Sequence, residues 1–197
     1  MGRHRRFHAG GFTLIVVLFA AAVATVLAGV ALPLTGSAID ELRTLAAARY
    51  LAGRIVHGRM DAIRRSTSVA LRFEASSPDY AFTPCADGNG NGVRAADIHR
   101  GVDPPIGAPQ QLGDNFAGVR FGLLPGLPDV DGAAGGSTDG VRIGTARILT
   151  MSPNGTATSG TLYVQGRRAQ YAVRVLGATG RTRILKYDTG AGTWISR

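Results

Sequence analysis

From Phe12 through Ile39 the chain carries no Asp, Glu, Lys, Arg or His, an uninterrupted run of 28 residues. A helix of that length spans about 42 Å at 1.5 Å per residue, enough to cross the hydrocarbon core of a bilayer. Arg3, His4, Arg5, Arg6 and His8 precede the run, and Asp40 and Glu41 follow it. That asymmetry predicts a cytoplasmic N-terminus and an exported remainder. An ordinary secretory signal has an apolar core of roughly 7–15 residues. Here apolar character continues through Val30, Ala31, Leu32 and Leu34, which favours an uncleaved membrane pass over a removed signal.

The length of the whole chain suits one ordinary domain plus an appendage. The 197 residues are 45% hydrophobic and 18% charged, too apolar for a disordered tail. Cys85 is the sole cysteine, which excludes an intrachain disulfide framework and a zinc site built on several thiolates. Lys+Arg outnumber Asp+Glu by 22 to 13, and Lys186 is the only lysine, so the excess charge is almost entirely arginine.

Two periodicities follow the run. From Ser37 to Arg65 apolar residues recur at threes and fours: Leu42, Leu45, Ala48, Ala52, Ile55, Val56 and Ile63. This predicts a helix opened by Gly36-Ser37, with Ser37, Asp40 and Glu41 as helix-start residues, and closed by Ser66-Thr67-Ser68. Interleaved arginines from Arg43 to Arg65 give a solvated face. After Thr67 the pattern alternates. Strands are predicted at Val69–Phe73, Tyr80–Thr83, Gly118–Leu123, Val141–Ile143, Arg147–Met151, Thr161–Val164, Gln170–Leu176 and Thr182–Tyr187. Ser152-Pro153-Asn154-Gly155 reads as a turn, and the Gly/Pro-rich Leu124–Gly140 as a long surface loop. The expected class is α+β: a long N-terminal helix, half in the membrane and half against a head, then a β-rich C-terminal head. The expected divisions are residues 1–11, 12–34, 35–66 and 67–197.

Between the basic leader and the apolar run stands Gly10-Gly11-Phe12-Thr13-Leu14-Ile15. This string resembles the class III leader of type IV pilins and type II secretion pseudopilins. The resemblance implies cleavage between Gly11 and Phe12 by a prepilin peptidase and methylation of the new N-terminal Phe12. It also implies a filament and membrane helix containing Leu14, Val16 and Pro33, with Pro33 the point where such helices bend or melt. The fifth mature residue in most of these families is Glu, which pairs with the terminal amine of a neighbouring subunit; here it is Val16. Absence of that carboxylate implies either a subunit at the filament tip or the loss of the residue in an ordinary minor subunit. Downstream, Ser152-Pro153-Asn154-Gly155, Gly160-Thr161-Leu162-Tyr163-Val164 and Gly180-Arg181-Thr182-Arg183 are similar to the GspH/FimT group of minor pseudopilins and pilins. The expected partners are other pilin or pseudopilin subunits, the peptidase and inner-membrane lipid. The expected location is the inner membrane, then a periplasmic pseudopilus or a surface pilus.

Two constellations are candidates for binding chemistry. Asp87-Gly88-Asn89-Gly90-Asn91-Gly92, with Asp97 beyond it, places oxygen ligands at alternate positions as a calcium loop does. It lacks a closing bidentate Glu, and the alternative is an Asn/Gly turn that needs no metal. Arg181, Arg183 and Lys186, with Arg167, Arg168 and Arg174, make a basic C-terminal region that would suit phosphates. It is similar to the basic segment of FimT-like DNA-uptake subunits; the alternative is edge-strand charge that keeps the head soluble. His57, His99 and Cys85 form no recognisable catalytic set, so no enzyme activity is expected. A plain signal-anchored β-domain remains the other reading.

Overall fold

The computed structural model describes residues 13–133 and 137–197, and within the first helix the side chains of residues 28–35 are outside that description. Helix α1 (Leu14–Arg65) continues through Pro33 and through Gly36-Ser37. Gly36-Ser37 therefore does not open a second helix, and Asp40 and Glu41 stand in a helix interior rather than at its start. The chain divides into two compact units, Met1–Ala38 and Ile39–Arg197. In the first, the described residues belong almost wholly to α1, and Leu14, Ile15, Val16, Val17, Leu18 and Phe19 are all exposed. Among the described residues no helix is long and apolar enough to cross a membrane. The expected pass over residues 12–34 includes Phe12 and the side chains of 28–34, which lie outside the description.

α1 ends where the sequence places its stop. Ser66 takes a left-handed φ of 53°. The N–H groups of Ser66 and Thr67 then turn back to the carbonyls of Ile63 and Ala62, at 3.2 Å each. This double closure satisfies two of the carbonyls a helix end leaves open, and Arg64 and Arg65 complement the dipole there.

The second unit is α+β, with every strand pairing antiparallel. β1 (Val69–Ser76) and β2 (Asp79–Ala86) form a hairpin. α2 (Ala95–His99), β3 (Gln110–Gln111) and α3 (Leu112–Asn115) follow in the connection to β4 (Arg120–Phe121). Then come β5 (Val141–Arg142), β6 (Ile148–Met151), β7 (Gly160–Gln165), β8 (Gln170–Leu176), β9 (Arg181–Asp188) and β10 (Thr193–Ser196). One sheet has the order β3-β2-β1-β6; the other runs β10-β9-β8-β7-β4, with β5 also pairing β7. β4 meets the C-terminal end of β7 (Arg120 opposite Gln165) and β5 its N-terminal half (Val141 opposite Leu162).

The inner faces of both sheets close on one side of α1. Alternation on β8 sends Tyr171, Val173 and Val175 inward, and β7 adds Leu162 and Val164. β1 and β6 contribute Val69, Leu71, Phe73, Leu149 and Met151. The helix meets them with small residues, Ala47, Ala48, Ala52 and Ala62, around Leu51 and Ile55, all buried. At Gly58 an added Cβ would come 2.8 Å from the Met151 methyl, so the thioether lies against bare helix backbone. The outer face of the larger sheet is also covered. Leu127 and Val130 of the 124–140 segment, with Leu185 and Trp194, pack on a cluster of Leu123, Tyr163 and Ala172.

The helix periodicity holds two faces, not one. Ala48, Ala52 and Ile55 face the sheets as expected, but Leu42, Val56 and Ile63 point away from them, Leu42 with 66% of its surface exposed. The alanines supply the buried stripe because two sheets can approach them closely. Leu51→Ala is expected to cost about 2–5 kcal/mol by leaving a cavity, and Leu42→Ala to stay within about 0.5 kcal/mol. Equilibrium denaturation of the full chain checks the contrast.

Candidate functional site

The helix enters the second unit on two adjacent carboxylates. The Asp40 carboxylate accepts three successive backbone N–H groups: Oδ1 from Arg167 at 2.9 Å, and Oδ2 from Arg168 at 2.9 Å and Ala169 at 3.1 Å. These residues form the turn between β7 and β8, whose N–H groups have few ladder partners. Gly166 starts that turn against the helix, where an added Cβ would collide with the Thr44 hydroxyl and the Asp40 carboxylate. Thr44 itself is fully buried and donates its hydroxyl to the Asp40 carbonyl at 2.7 Å. Burial pushes the Asp40 carboxyl up, but the three N–H donors and the Arg167 charge outweigh it and leave it below the ordinary carboxylate value.

Glu41, one residue on, reaches the neighbouring strands. Its Oε1 accepts from Lys186 Nζ of β9 and, at 3.3 Å, from the Tyr171 hydroxyl of β8. The Lys186 hydrogen bond lowers the Glu41 carboxyl despite partial burial. Tyr171 responds in the opposite sense: burial first, then the Glu41 charge, pushes its hydroxyl up to about 12. Asp40 and Glu41 therefore tie β7, β8 and β9 to one turn of α1. Sequence spacing gives no sign of this, since the partners lie more than 120 residues away.

The basic region of the sequence is not one patch. β9 alternates, so Arg181 and Arg183 share one face while Lys186 takes the other, beneath Glu41. Arg183 stands opposite Arg174 of β8, and Arg174 opposite Thr161 of β7. The 124–140 segment supplies counter-charges there: Asp131 to Arg174 at 2.7 Å and Asp129 to Arg142 at 2.9 Å. Arg142 also lies 4.9 Å over the Tyr163 ring. The Val130 N–H donates to the Tyr163 hydroxyl at 3.0 Å, and Trp194 Nε1 donates to the Pro128 carbonyl at 3.1 Å. What reads as a surface loop is a strap fastened across the sheet. Arg167 and Arg168 have exposed side chains, but their backbone N–H groups belong to Asp40. Of the candidate nucleic-acid set, the guanidinium groups of Arg167, Arg168, Arg181 and Arg183 are exposed and form no ion pair among the described residues, the first two at the β7–β8 turn and the last two on β9.

The candidate calcium loop closes on its own backbone. Asp87 Oδ1 accepts from the N–H groups of Asn89 (3.2 Å) and Gly90 (2.8 Å), and Oδ2 from Gly92 (2.7 Å). Asp103 is fully buried and missed by the sequence pattern; it takes the N–H groups of Gly88 and Arg94. Asn89 Oδ1 accepts from the Asn91 N–H, and Asn91 donates its side-chain amide to Asp97, which also meets Arg100 at 2.8 Å. Every oxygen of Asp87 and Asp103 thus faces an N–H donor, a set that fits a braced turn better than a cation. Among the described residues no three His, Cys, Asp or Glu side chains gather as a metal site.

No family model, curated protein or solved structure matches the chain.

The remaining sequence candidates stand apart. Gly11 and Phe12 lie outside the described residues, and so does the side chain of Pro33. Leu14 and Val16 are on α1 in the first unit, both exposed. His57 pairs with Asp61 at 3.2 Å, His99 is exposed on α2, and burial pushes the Cys85 thiol up, away from the reactive thiolate.

The two lowered carboxyls give a signed pH dependence. A depressed carboxyl contributes stability that is complete above its unfolded value, about 4, and is lost as pH falls through the lower folded value. Thermal midpoints of the full chain are therefore expected to be flat from pH 7 to 5 and to fall below about pH 4. The double variant Asp40→Asn, Glu41→Gln is expected to start about 1–3 kcal/mol less stable at pH 7 and to lose less on acidification.

Proposed function

We propose that the chain is a minor subunit of a pilin-like filament, either a type II secretion pseudopilus or a type IV pilus. It is made with the leader 1–11, is cut between Gly11 and Phe12, and is held in the inner membrane by residues 12–34 until it joins the filament. The observation that carries this reading is the Gly11-Phe12 junction, set between a basic leader and an uncharged run that passes into α1. The α1 helix followed by an antiparallel β head supports it, as does the exposed apolar surface of Leu14, Ile15, Leu18 and Phe19 in the first unit. Val16 offers no carboxylate to a neighbour's terminal amine, which suits a subunit at or near the tip, where no subunit stands above it to supply that amine.

The work of such a subunit is mechanical. A helix in the filament bundle must carry its head without slipping, and the Asp40 and Glu41 attachments supply that link within the second unit. A nucleic-acid reading would rest on Arg181 and Arg183, with Arg167 and Arg168 on the β7–β8 turn, because Lys186 is engaged by Glu41 and Arg174 by Asp131.

Mass spectrometry of the chain from cells with and without a prepilin peptidase tests the reading. The expected product is a chain beginning at methylated Phe12, seen only with the peptidase. A chain that keeps Met1, or is cut beyond Ala31, contradicts it and leaves an anchored or secreted β-domain.

A further inference from the structure

The side of α1 turned away from the sheets carries a second apolar row. Within the second unit Ile39, Leu42, Val56, Met60 and Ile63 are all exposed, Met60 at 56% and Val56 at 48%. Ala46, Arg49 and Gly53 fill the intervening places, so the steps are three, four, three, four, three, four and three residues. That is the a/d spacing by which two helices pair along a common seam. The opposite line of the helix, Thr44, Leu51 and Gly58 at seven-residue steps, is buried against the sheets. The outward row is therefore not left over from packing the head. Single exposed apolar residues are ordinary, but a row in constant register over seven turns is a contact surface without its partner. Ala46 and Gly53 in its middle are small, and a Cβ added at Gly53 would meet nothing, so another helix can come close there.

Charge identifies the partner. Arg49 lies in the row, and the flank at seven-residue steps reads Arg43, Tyr50, His57 and Arg64, two arginines and no acid. Arg43, Arg49 and Arg64 have no acidic partner among the described residues. The acids of this half of α1 are engaged elsewhere: Asp40 with the β7–β8 turn, Glu41 with Lys186, and Asp61 with His57. The other flank, Leu45, Ala52 and Arg59, carries no acid either. A second copy, parallel or antiparallel, would thus set cationic flanks against cationic or neutral ones, with nothing to neutralise Arg49 in the seam. The row is also narrow, two positions in seven, whereas a helix lying on lipid presents a broad apolar face.

We propose that the outward row of α1 from Ile39 to Ile63 is the docking seam for an acidic amphipathic helix of a different chain, packed in heptad register. This rests on the fold of the second unit and not on processing of the leader, so the two readings fail separately.

The test uses the full chain in detergent and two synthetic four-heptad peptides, alike in carrying Leu at a and d but with Glu or Lys at e and g. Fluorescence anisotropy is expected to show the Glu peptide binding at least about tenfold more tightly than the Lys peptide, a difference of about 1.4 kcal/mol. Arg43→Glu, Arg49→Glu and Arg64→Glu together should reverse the preference, and Leu42→Asp with Val56→Asp should abolish binding. Both sets lie on the exposed side, and circular dichroism confirms that the variants stay folded. Equal binding of both peptides, binding of neither, or indifference to the arginine reversal overturns the proposal. So does self-association of the chain lost in the Leu42→Asp variant, or binding to phosphatidylglycerol vesicles in place of the Glu peptide.

Discussion

One carboxylate holds the second unit in register. Asp40 accepts the N–H groups of Arg167, Arg168 and Ala169 in the β7–β8 turn. β7 and β8 are central strands of the larger sheet, so fixing their turn fixes where that sheet sits along the helix. The rest follows at helical spacing. Thr44, Ala47, Leu51 and Ile55 come down on Tyr171, Val173 and their neighbours, and Gly58 receives Met151 from the smaller sheet. Gly166 is glycine because the helix leaves no room for a side chain at that point.

Much of this architecture was legible because local pattern and tertiary demand agree. β8 has the expected bounds, Gln170–Leu176, since it alternates cleanly and both its faces are buried. The 152–155 turn and the helix stop at Ser66 are local chemistry and stand where local chemistry puts them. β10 and the two-residue β3 were not expected, being too short to show a period; only the glycine pair at Gly190 and Gly192 marks the hairpin before Thr193. The sequence pattern does not separate the two helix faces because both are apolar. Nothing in Leu42 or Val56 says which side the sheets will choose, and the sheets chose alanines.

The candidate sites show the same division. Parity alone separates Arg181 and Arg183 from Lys186 on a strand, a signal present in the sequence but hidden by their closeness along the chain. Asp103 completes the Asp87 loop from sixteen residues away, and Asp40 meets its partners from more than 120, distances at which no spacing rule operates. The strap over the larger sheet reads as loop because its order comes from Asp129, Asp131 and side chains of other strands, not from its own backbone pairing.

One helix thereby performs two tasks in the second unit. Its alanine side and its two acids carry the head, and its leucine and methionine side, edged with arginine, remains open. In the filament role proposed above, that separation would let force on the helix reach the head without passing through the open side. Native-state hydrogen exchange at the N–H groups of Arg167, Arg168 and Ala169 tests the link most directly. The account predicts that they exchange as slowly as the amides of β8, although the Arg167 and Arg168 side chains are exposed. Exchange at the rate of a free surface turn, with β8 still protected, would contradict it.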